Sequence, residues 1–205
     1  MTAASHRHLD ELRSIGFTVI PGVIPVAEVS AVRECVFQTA QEQSARLAAA
    51  SPEAKATRDR GILHLPAMLN YDQSLAPYLA RPAVLNVVQA HLGMGARISF
   101  TTSQTNLPGC ERGNWHADYP YNQANMQRVA APYAPGPDHS FGITTLWMLS
   151  EFLPGCGTLV VPYSHMQPIN PTMPECDLHH RQFDPHPEEL SVTGKAGSVL
   201  VMDSR

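Results

Sequence analysis

The chain has 205 residues, of which 43% are hydrophobic and 16% are charged, a composition that suits one folded domain and excludes a disordered chain. Its net charge of −4 and its two lysines argue against a nucleic-acid partner, because a surface that binds a duplex needs clustered cations. We expect no membrane span and no secretory signal, since no apolar run is long enough to cross a bilayer and the N-terminal residues contain no apolar core.

Helices are predicted for most of the first part of the chain. Residues 5–14 favour a helix that ends before Gly16, and the β-branched run 17–20 favours a strand. A long helix is predicted over 25–50, and its buried face is expected to carry valines at helical spacing: Val29, Val32 and Val36. The segment 51–60 is predicted to be a loop.

Another helix is predicted to begin at Pro82, because proline suits the first turn of a helix. Gly93 and Gly95 are expected to end it. Three residues at helical spacing form its expected apolar face: Leu85, Val88 and Leu92.

Strands and proline-rich loops are predicted for the second half. The stretches rich in β-branched and apolar residues are 97–105, 141–149, 157–161 and 198–202. Eleven of the 18 prolines lie between Pro120 and Pro187, where they disfavour helices and central strands. Helices followed by strands predict an α+β domain in which an antiparallel sheet or barrel is backed by helices.

A histidine followed two residues later by a carboxylate can bind a divalent ion, since residues i and i+2 of an extended segment point to the same side. The pattern is weak alone, because this composition gives about one match by chance. Three matches occur: His8 with Asp10, His116 with Asp118, and His186 with Glu188. Context must therefore decide among them.

Context favours the middle match. His8 lies in a predicted helix, where residues i and i+2 diverge, and we interpret it as part of a solvated face. His186 lies in a polar, proline-containing loop. The middle pair, in GNWHADYP, follows a predicted strand and a Pro-Gly turn and has aromatic neighbours. It is a candidate metal site, with an aromatic surface turn as the alternative.

Four segments resemble the phytanoyl-CoA dioxygenase (PhyH-like) family: GFTVIPGVIPVAEVSAVRECV, NWHADYP, TTLWMLSEFLPGCGTLVVPYSH and GSVLVMDSR. The resemblance runs from about Leu9 to the last residue, in order and with matching spacing. It implies a single domain over 1–205, a double-stranded β-helix (jelly roll) backed by N-terminal helices. It also implies Fe(II) held by the His-x-Asp pair and a distal histidine, 2-oxoglutarate as cosubstrate, dioxygen, and oxidative attack on an unactivated C–H bond of a small molecule.

The resemblance assigns roles to particular residues. His116 and Asp118 resemble the catalytic iron ligands, and Trp147 is similar to the tryptophan that lines the 2-oxoglutarate pocket. Thr102 and Gln104 share one strand face by period 2, and we expect one or both to donate hydrogen bonds to a 2-oxoglutarate carboxylate. Polar filling of a barrel interior is their alternative role.

The chain departs from the family pattern at its C-terminal end. The family's distal histidine follows the segment that GSVLVMDSR resembles, and its 2-oxoglutarate-anchoring arginine comes later. We therefore expect a domain truncated at its C-terminal end, and the loss of the distal histidine can abolish activity. The substitutes considered within the chain are His165, His179, His180 and His186 for the metal, and Arg97, Arg112 and Arg205 for the dicarboxylate. We interpret His165 as a hydrogen-bonded residue beside the site and not as a ligand.

The resemblance leaves the reaction and the substrate partly open. Asp118 favours hydroxylation over halogenation, because related halogenating enzymes have a small residue there. The loop 119–139 is expected to form part of a pocket mouth, or else a surface loop without a ligand role. The alternatives are a non-catalytic jelly-roll binding protein with an incomplete iron site, and a metal-dependent isomerase that does not use 2-oxoglutarate. Four cysteines without a CxxC pair predict free thiols and a cytoplasmic location.

Overall fold

The computed structural model describes residues 2–118, 140, 142–166 and 181–203. The helices in this part of the chain are α1 (Ala3–Ile15), α2 (Val26–Ala50), α3 (Pro52–Asp59), α4 (Ala76–Leu79) and α5 (Pro82–Leu92). The strands are β1 (Phe17–Ile20), β2 (Ile62–Pro66), β3 (Thr102–Asn106), β4 (Ile143–Trp147), β5 (Leu159–Val160), β6 (Leu190–Ser191) and β7 (Val199–Asp203). The chain divides into two compact units, the first made of 1–23, 82–96 and 113–205, and the second of 24–81 and 97–112.

The first unit is organised by an antiparallel sheet of three strands in the order β1-β7-β4. The apolar residues of β7 are fully buried at Val199, Leu200 and Val201, as expected for a central strand that is covered on both faces. Period 2 divides the sheet residues between two cores. The helix-side core comprises Leu12, Ile20, Val23, Val84, Val87, Val199 and Val201.

The opposite core contains Met148, Val192 and Leu200, with apolar residues such as Leu146 and Met202 packed against it. Strands β5 and β6 form a short antiparallel pair in the same unit. The sheet therefore has a helix side and an opposite side, and β4 contributes alternate residues to each.

The second unit packs α2 against a two-stranded antiparallel ladder of β2 and β3. Leu63 and Leu65 of β2 are buried, and Ser103, which pairs with Leu65, shares their face. Thr102 and Gln104 lie on the other, exposed face of β3. The prediction that they share one face is confirmed.

Most predicted elements of the first half are present, but α3, β2 and α4 were not predicted, and the buried face of α5 was predicted only in part. Residues 51–60 are wrong as a loop, because Ser51 caps α3 through its hydroxyl and Pro52 occupies the first turn. The predicted face of α5 is only partly right: Val88 packs against the helix-side core, but none of the three predicted residues is among the fully buried ones. Val84 and Val87 are its buried residues, since apolar side chains surround most of this helix and spacing alone does not select one face.

The strand predicted over 97–105 begins later, at Thr102. Its ladder partner explains the boundary: Pro66 pairs with Thr102 and closes β2, because proline has no N–H for a further bond. The strands predicted over 141–149, 157–161 and 198–202 are confirmed in their cores as β4, β5 and β7. Strands β2 and β6 and the short helix α4 were not predicted.

The C-terminal end of α1 is stabilised by Gly16 and by the buried side chain of His165. Gly16 ends the helix with φ 93°, and its N–H donates to Leu12 O. His165 is buried, and its Nε2 lies 3.1 Å from Arg13 O. A Cβ on Gly16 would come within 2.6 Å of His165 Nδ1. The hydrogen bond predicted for His165 is confirmed, and its partner is the end of α1, while the predicted place of His165 beside the metal site stays a prediction.

Gly16→Ala should destabilise the protein by about 2 kcal/mol, because alanine is strained in the left-handed region and its methyl group would displace His165. The urea midpoint of unfolding measures the change. Gly95→Ala is the matched control, since nothing lies within 4 Å of the added Cβ there. Equal midpoints for the two variants would contradict this account of the helix end.

His8 connects α1 to β1 and is not part of a solvated face, so that interpretation was wrong. Its side chain is buried, and Nδ1 lies 2.7 Å from Thr18 Oγ1, whose hydroxyl donates to Glu11. Nδ1–H therefore donates to Thr18. Burial lowers the pKa of His8 and Arg7 lowers it further, while Glu11 opposes both.

A lowered pKa means that the unfolded chain binds a proton at His8 more readily than the folded chain does. We expect stability to fall as the pH decreases through and below 6.5, where the unfolded histidine titrates. His8→Asn should reduce this dependence, measured as the shift in urea midpoint between about pH 7.5 and about pH 5.5. If the urea midpoint of the His8→Asn variant shifts between these two pH values as much as that of the unaltered protein, groups other than His8 cause the pH dependence.

Candidate metal centre

His116 and Asp118 converge in an irregular segment of the first unit. Nε2 of His116 lies 3.3 Å from Oδ1 of Asp118. Two ligands about 2.1 Å from one ion and at right angles to each other are about 3.0 Å apart. The separation of this pair is therefore close to what two ligands of one divalent ion require.

Each of these side chains is held by a further partner on its outer atom. His116 Nδ1 lies 2.9 Å from Asn114 O, and Thr144 Oγ1 donates to Asp118 Oδ2 at 2.6 Å. A carbonyl oxygen can only accept, so Nδ1 carries a proton, and loss of the Nε2 proton to solvent would leave a lone pair at Nε2 for a metal ion. The two atoms left for a ligand are Nε2 and Oδ1.

The charges of the pair support each other. The hydrogen bond to Asp118 raises the pKa of His116, with a smaller rise from Asn114 O, while burial opposes both. The hydrogen bond from His116 lowers the pKa of Asp118, and the Thr144 hydroxyl lowers it further, again against burial. Asp118 is thus kept as a carboxylate, which is the form that binds a cation.

Both side chains remain accessible while the residue between them is buried. The side chain of His116 is 54% exposed and that of Asp118 is 29% exposed. Ala117 is buried, so it anchors the segment from the other side. The described residues therefore leave the ligand atoms open on one side of the segment.

The partners Asn114 and Thr144 were not predicted from the sequence. Thr144 lies on the side of β4 away from the helices, where alternate residues of the strand pack against the opposite core. The sequence signal for Thr144 was its position two residues before Leu146 in TTLWML, which places both side chains on the same face of the strand.

Trp147 occupies the other face of β4. It packs against the helix-side core, and its Nε1–H donates to Thr145 Oγ1 at 3.2 Å. Period 2 thus directs Trp147 and Thr144 to opposite sides of the sheet. The predicted contact of Trp147 with 2-oxoglutarate stays a prediction, as do the roles of Thr102 and Gln104, which belong to the second unit.

Within the described residues, no third histidine, cysteine, aspartate or glutamate joins His116 and Asp118 in a metal-binding group. His186 accepts a hydrogen bond from the N–H of Glu188 at 3.1 Å within its own loop. Several predicted residues lie outside the described part: His179, His180, Arg205 and the loop 119–139. Arg97 and Arg112 belong to the second unit.

The fold and the convergent pair define a protein of mixed helices and antiparallel strands with a candidate two-residue metal site. The family model of the phytanoyl-CoA dioxygenases (PhyH) matches residues 12–205. The chain therefore belongs to the phytanoyl-CoA dioxygenase family, as its four segments indicate. A comparison with curated proteins finds no match.

Solved structures of two proteins share the fold. HygX from Streptomyces hygroscopicus with nickel, 2-oxoglutarate and hygromycin B bound is 14% identical, with a TM-score of 0.59 over 100% of this chain and 78% of that one. HygX with iron bound is 15% identical, with a TM-score of 0.58 over 100% and 77%. The epimerase SnoN with Fe³⁺, alpha ketoglutarate and nogalamycin RO is 16% identical, with a TM-score of 0.57 over 99% and 75%.

Two general expectations can be compared with the described residues. None of the helices there is both long and apolar enough to cross a membrane. Cys35, Cys110 and Cys156 are free thiols, as expected, and Cys176 lies outside the described part.

Thr144→Val should weaken the binding of a divalent ion such as Co(II) by about 10-fold, because Asp118 loses the partner that orients its carboxylate. Thr144→Ser keeps the hydroxyl and should bind nearly as well. The dissociation constant from an anaerobic titration measures the effect. Thr145→Val, a change on the other face of β4, is the control, and a loss there equal to that of Thr144→Val would contradict a specific role.

Proposed function

We propose that this protein is an Fe(II)- and 2-oxoglutarate-dependent dioxygenase that hydroxylates an unactivated C–H bond of a small metabolite. The observation that carries the proposal is the convergence of His116 Nε2 and Asp118 Oδ1 at 3.3 Å, with both outer atoms held. Imidazole and carboxylate are the protein ligands of non-haem Fe(II) oxygenases. Family membership adds support from the whole chain.

The proposed cofactors agree with the contents of the compared structures. HygX has been solved with iron, and with nickel and 2-oxoglutarate, and SnoN with Fe³⁺ and alpha ketoglutarate. The shared fold supports the jelly roll as the finer architecture of this chain. The same structures hold hygromycin B and nogalamycin RO, which supports a small organic molecule as the substrate here.

The residues of the chain would bind and orient the reactants. His116 through Nε2 and Asp118 through Oδ1 would hold Fe(II), while Asn114 and Thr144 would fix the direction of these two atoms. Bound Fe(II) with 2-oxoglutarate would supply the electrons that activate dioxygen for attack on a C–H bond. We retain the proposal that the polar face of β3 and Trp147 contribute to 2-oxoglutarate binding.

Hydroxylation is one of several outcomes for enzymes of this fold, since SnoN is an epimerase. Asp118 supports hydroxylation over halogenation, because a carboxylate occupies the position that a halide would need. Hydroxylation adds one oxygen atom to the substrate, whereas epimerisation leaves its mass unchanged. The mass of the product separates these two outcomes once a substrate is in hand.

A non-catalytic binding protein is the second candidate. It is favoured by one observation, the lack of a third ligand among the residues that the structure describes. Such a protein would keep the fold and bind a small molecule without turning over 2-oxoglutarate. Binding of Fe(II) with 2-oxoglutarate distinguishes the two candidates.

His116→Ala and Asp118→Ala should each abolish Fe(II) binding, since each removes one of the two ligand atoms. In an anaerobic titration with Fe(II) and 2-oxoglutarate, the unaltered protein should develop a weak visible charge-transfer band, and neither variant should do so. In air, the unaltered protein should form succinate from 2-oxoglutarate, and neither variant should do so.

Asp10→Ala is the matched control, because Asp10 is the exposed acid of the same pattern on α1. It should keep both the band and succinate formation. A band of full intensity in Asp118→Ala would refute the assignment of that ligand. An unaltered protein that binds neither iron nor 2-oxoglutarate would favour the non-catalytic candidate.

A further inference from the structure

Trp115, which directly precedes His116, is hydrogen-bonded to residues of the first unit that lie about 70 positions later in the chain. Its backbone N–H donates to Gln182 O at 2.8 Å, and its indole Nε1–H donates to Asp184 O at 2.9 Å. The indole ring also meets the ring of His186 edge to face, with the centroids 6.0 Å apart. Three contacts thus connect one residue to the 181–189 segment.

The 181–189 segment is braced internally on its N-terminal side. Asp184 N–H donates to Arg181 O at 3.0 Å, and the two side chains form an ion pair with Nε and Oδ2 3.1 Å apart. These bonds close a turn that presents Gln182 O and Asp184 O to Trp115. The acceptors of Trp115 therefore belong to a defined turn.

A second turn continues the segment into β6. Glu189 N–H donates to His186 O at 3.0 Å, and His186 N–H donates to Glu189 Oε2 at 2.8 Å. The N–H of Glu188 donates to His186 Nδ1, which fixes the ring that faces Trp115. The segment is thus tied to the strand that follows it.

Trp115 is held by hydrogen bonds at both its backbone and its side chain. One holds its backbone nitrogen and the other the tip of its side chain, so rotation about its backbone is restrained. Trp115 and His116 share a planar peptide bond, so the restraint on the backbone of Trp115 also limits the directions that the His116 side chain can take. No bond from the 181–189 segment to His116 itself is required.

We propose that Trp115 is a positioning residue of the metal centre, through which the 181–189 segment fixes the direction of His116. The proposal rests on the proposed function, since it requires His116 to be a ligand. It assigns to this segment a role in metal affinity beyond that of a surface loop. A purely structural role would change stability and leave the metal affinity of the folded protein unaltered.

Trp115→Phe keeps the aromatic ring and the backbone N–H and removes the indole donor. We expect it to weaken Co(II) binding by about 10-fold, as the loss of an orienting hydrogen bond near a metal does. The measurement is an anaerobic titration with Co(II) alone, followed by its visible absorption, with urea midpoints determined in parallel. An unchanged dissociation constant in folded Trp115→Phe would overturn the proposal.

His186→Ala provides a second test from the other side of the contact, at a site where the fold should tolerate the change. It removes the ring against Trp115 and should weaken Co(II) binding by about threefold, less than the loss of a hydrogen bond. Glu188→Ala, its exposed neighbour, is the matched control and should leave Co(II) binding unchanged. If Trp115→Phe does not fold, an unaltered affinity in His186→Ala overturns the proposal.

The proposed function and the positioning role of Trp115 can fail separately. The proposed function fails if the unaltered protein binds no Co(II), or if the His116→Ala variant binds Co(II) as tightly as the unaltered protein. In either case the positioning role of Trp115 fails as well. If binding depends on His116 and Asp118 and is the same in Trp115→Phe, only the positioning role is lost.

Discussion

The hydrogen bond from Thr144 to Asp118 joins the candidate metal pair to the sheet of the first unit. The pair lies in a segment without regular structure, and such a segment cannot by itself hold two side chains at ligand distance. Strand β4 supplies rigidity, because its full length pairs with β7. The position of Oδ1 therefore depends on the register of β4 and, through it, on the buried strand β7.

The two faces of β4 carry side chains with different partners. Thr144 faces the side that bears Asp118, while Trp147 faces the helix-side core. A strand that is covered on both faces must meet two sets of demands with alternate residues. The sequence TTLW meets both, with a hydroxyl group for the carboxylate on one side and a large ring for the core on the other.

The elements with strong local signals were predictable, and those set by distant partners were not. The end of α1 at Gly16 and the face of α2 follow from local chemistry, since a glycine stop and spaced valines act within one helix. The start of β3 depends on Pro66, a residue 36 positions before Thr102. The pair His116 and Asp118 came from a local pattern and a family resemblance, whereas the sequence places Thr144 on a strand face without showing that Asp118 is its partner.

Strand β7 lies between β1 and β4, and this has a consequence for how the chain folds. Phe17 pairs with Met202, which lies 202 − 17 = 185 positions later. Closing so long a loop has a large entropic cost before any contact compensates for it, and such pairings slow folding. During synthesis, β1 must wait for its partner until residues 199–202 have emerged, and its apolar residues depend meanwhile on α1 or on a chaperone for cover.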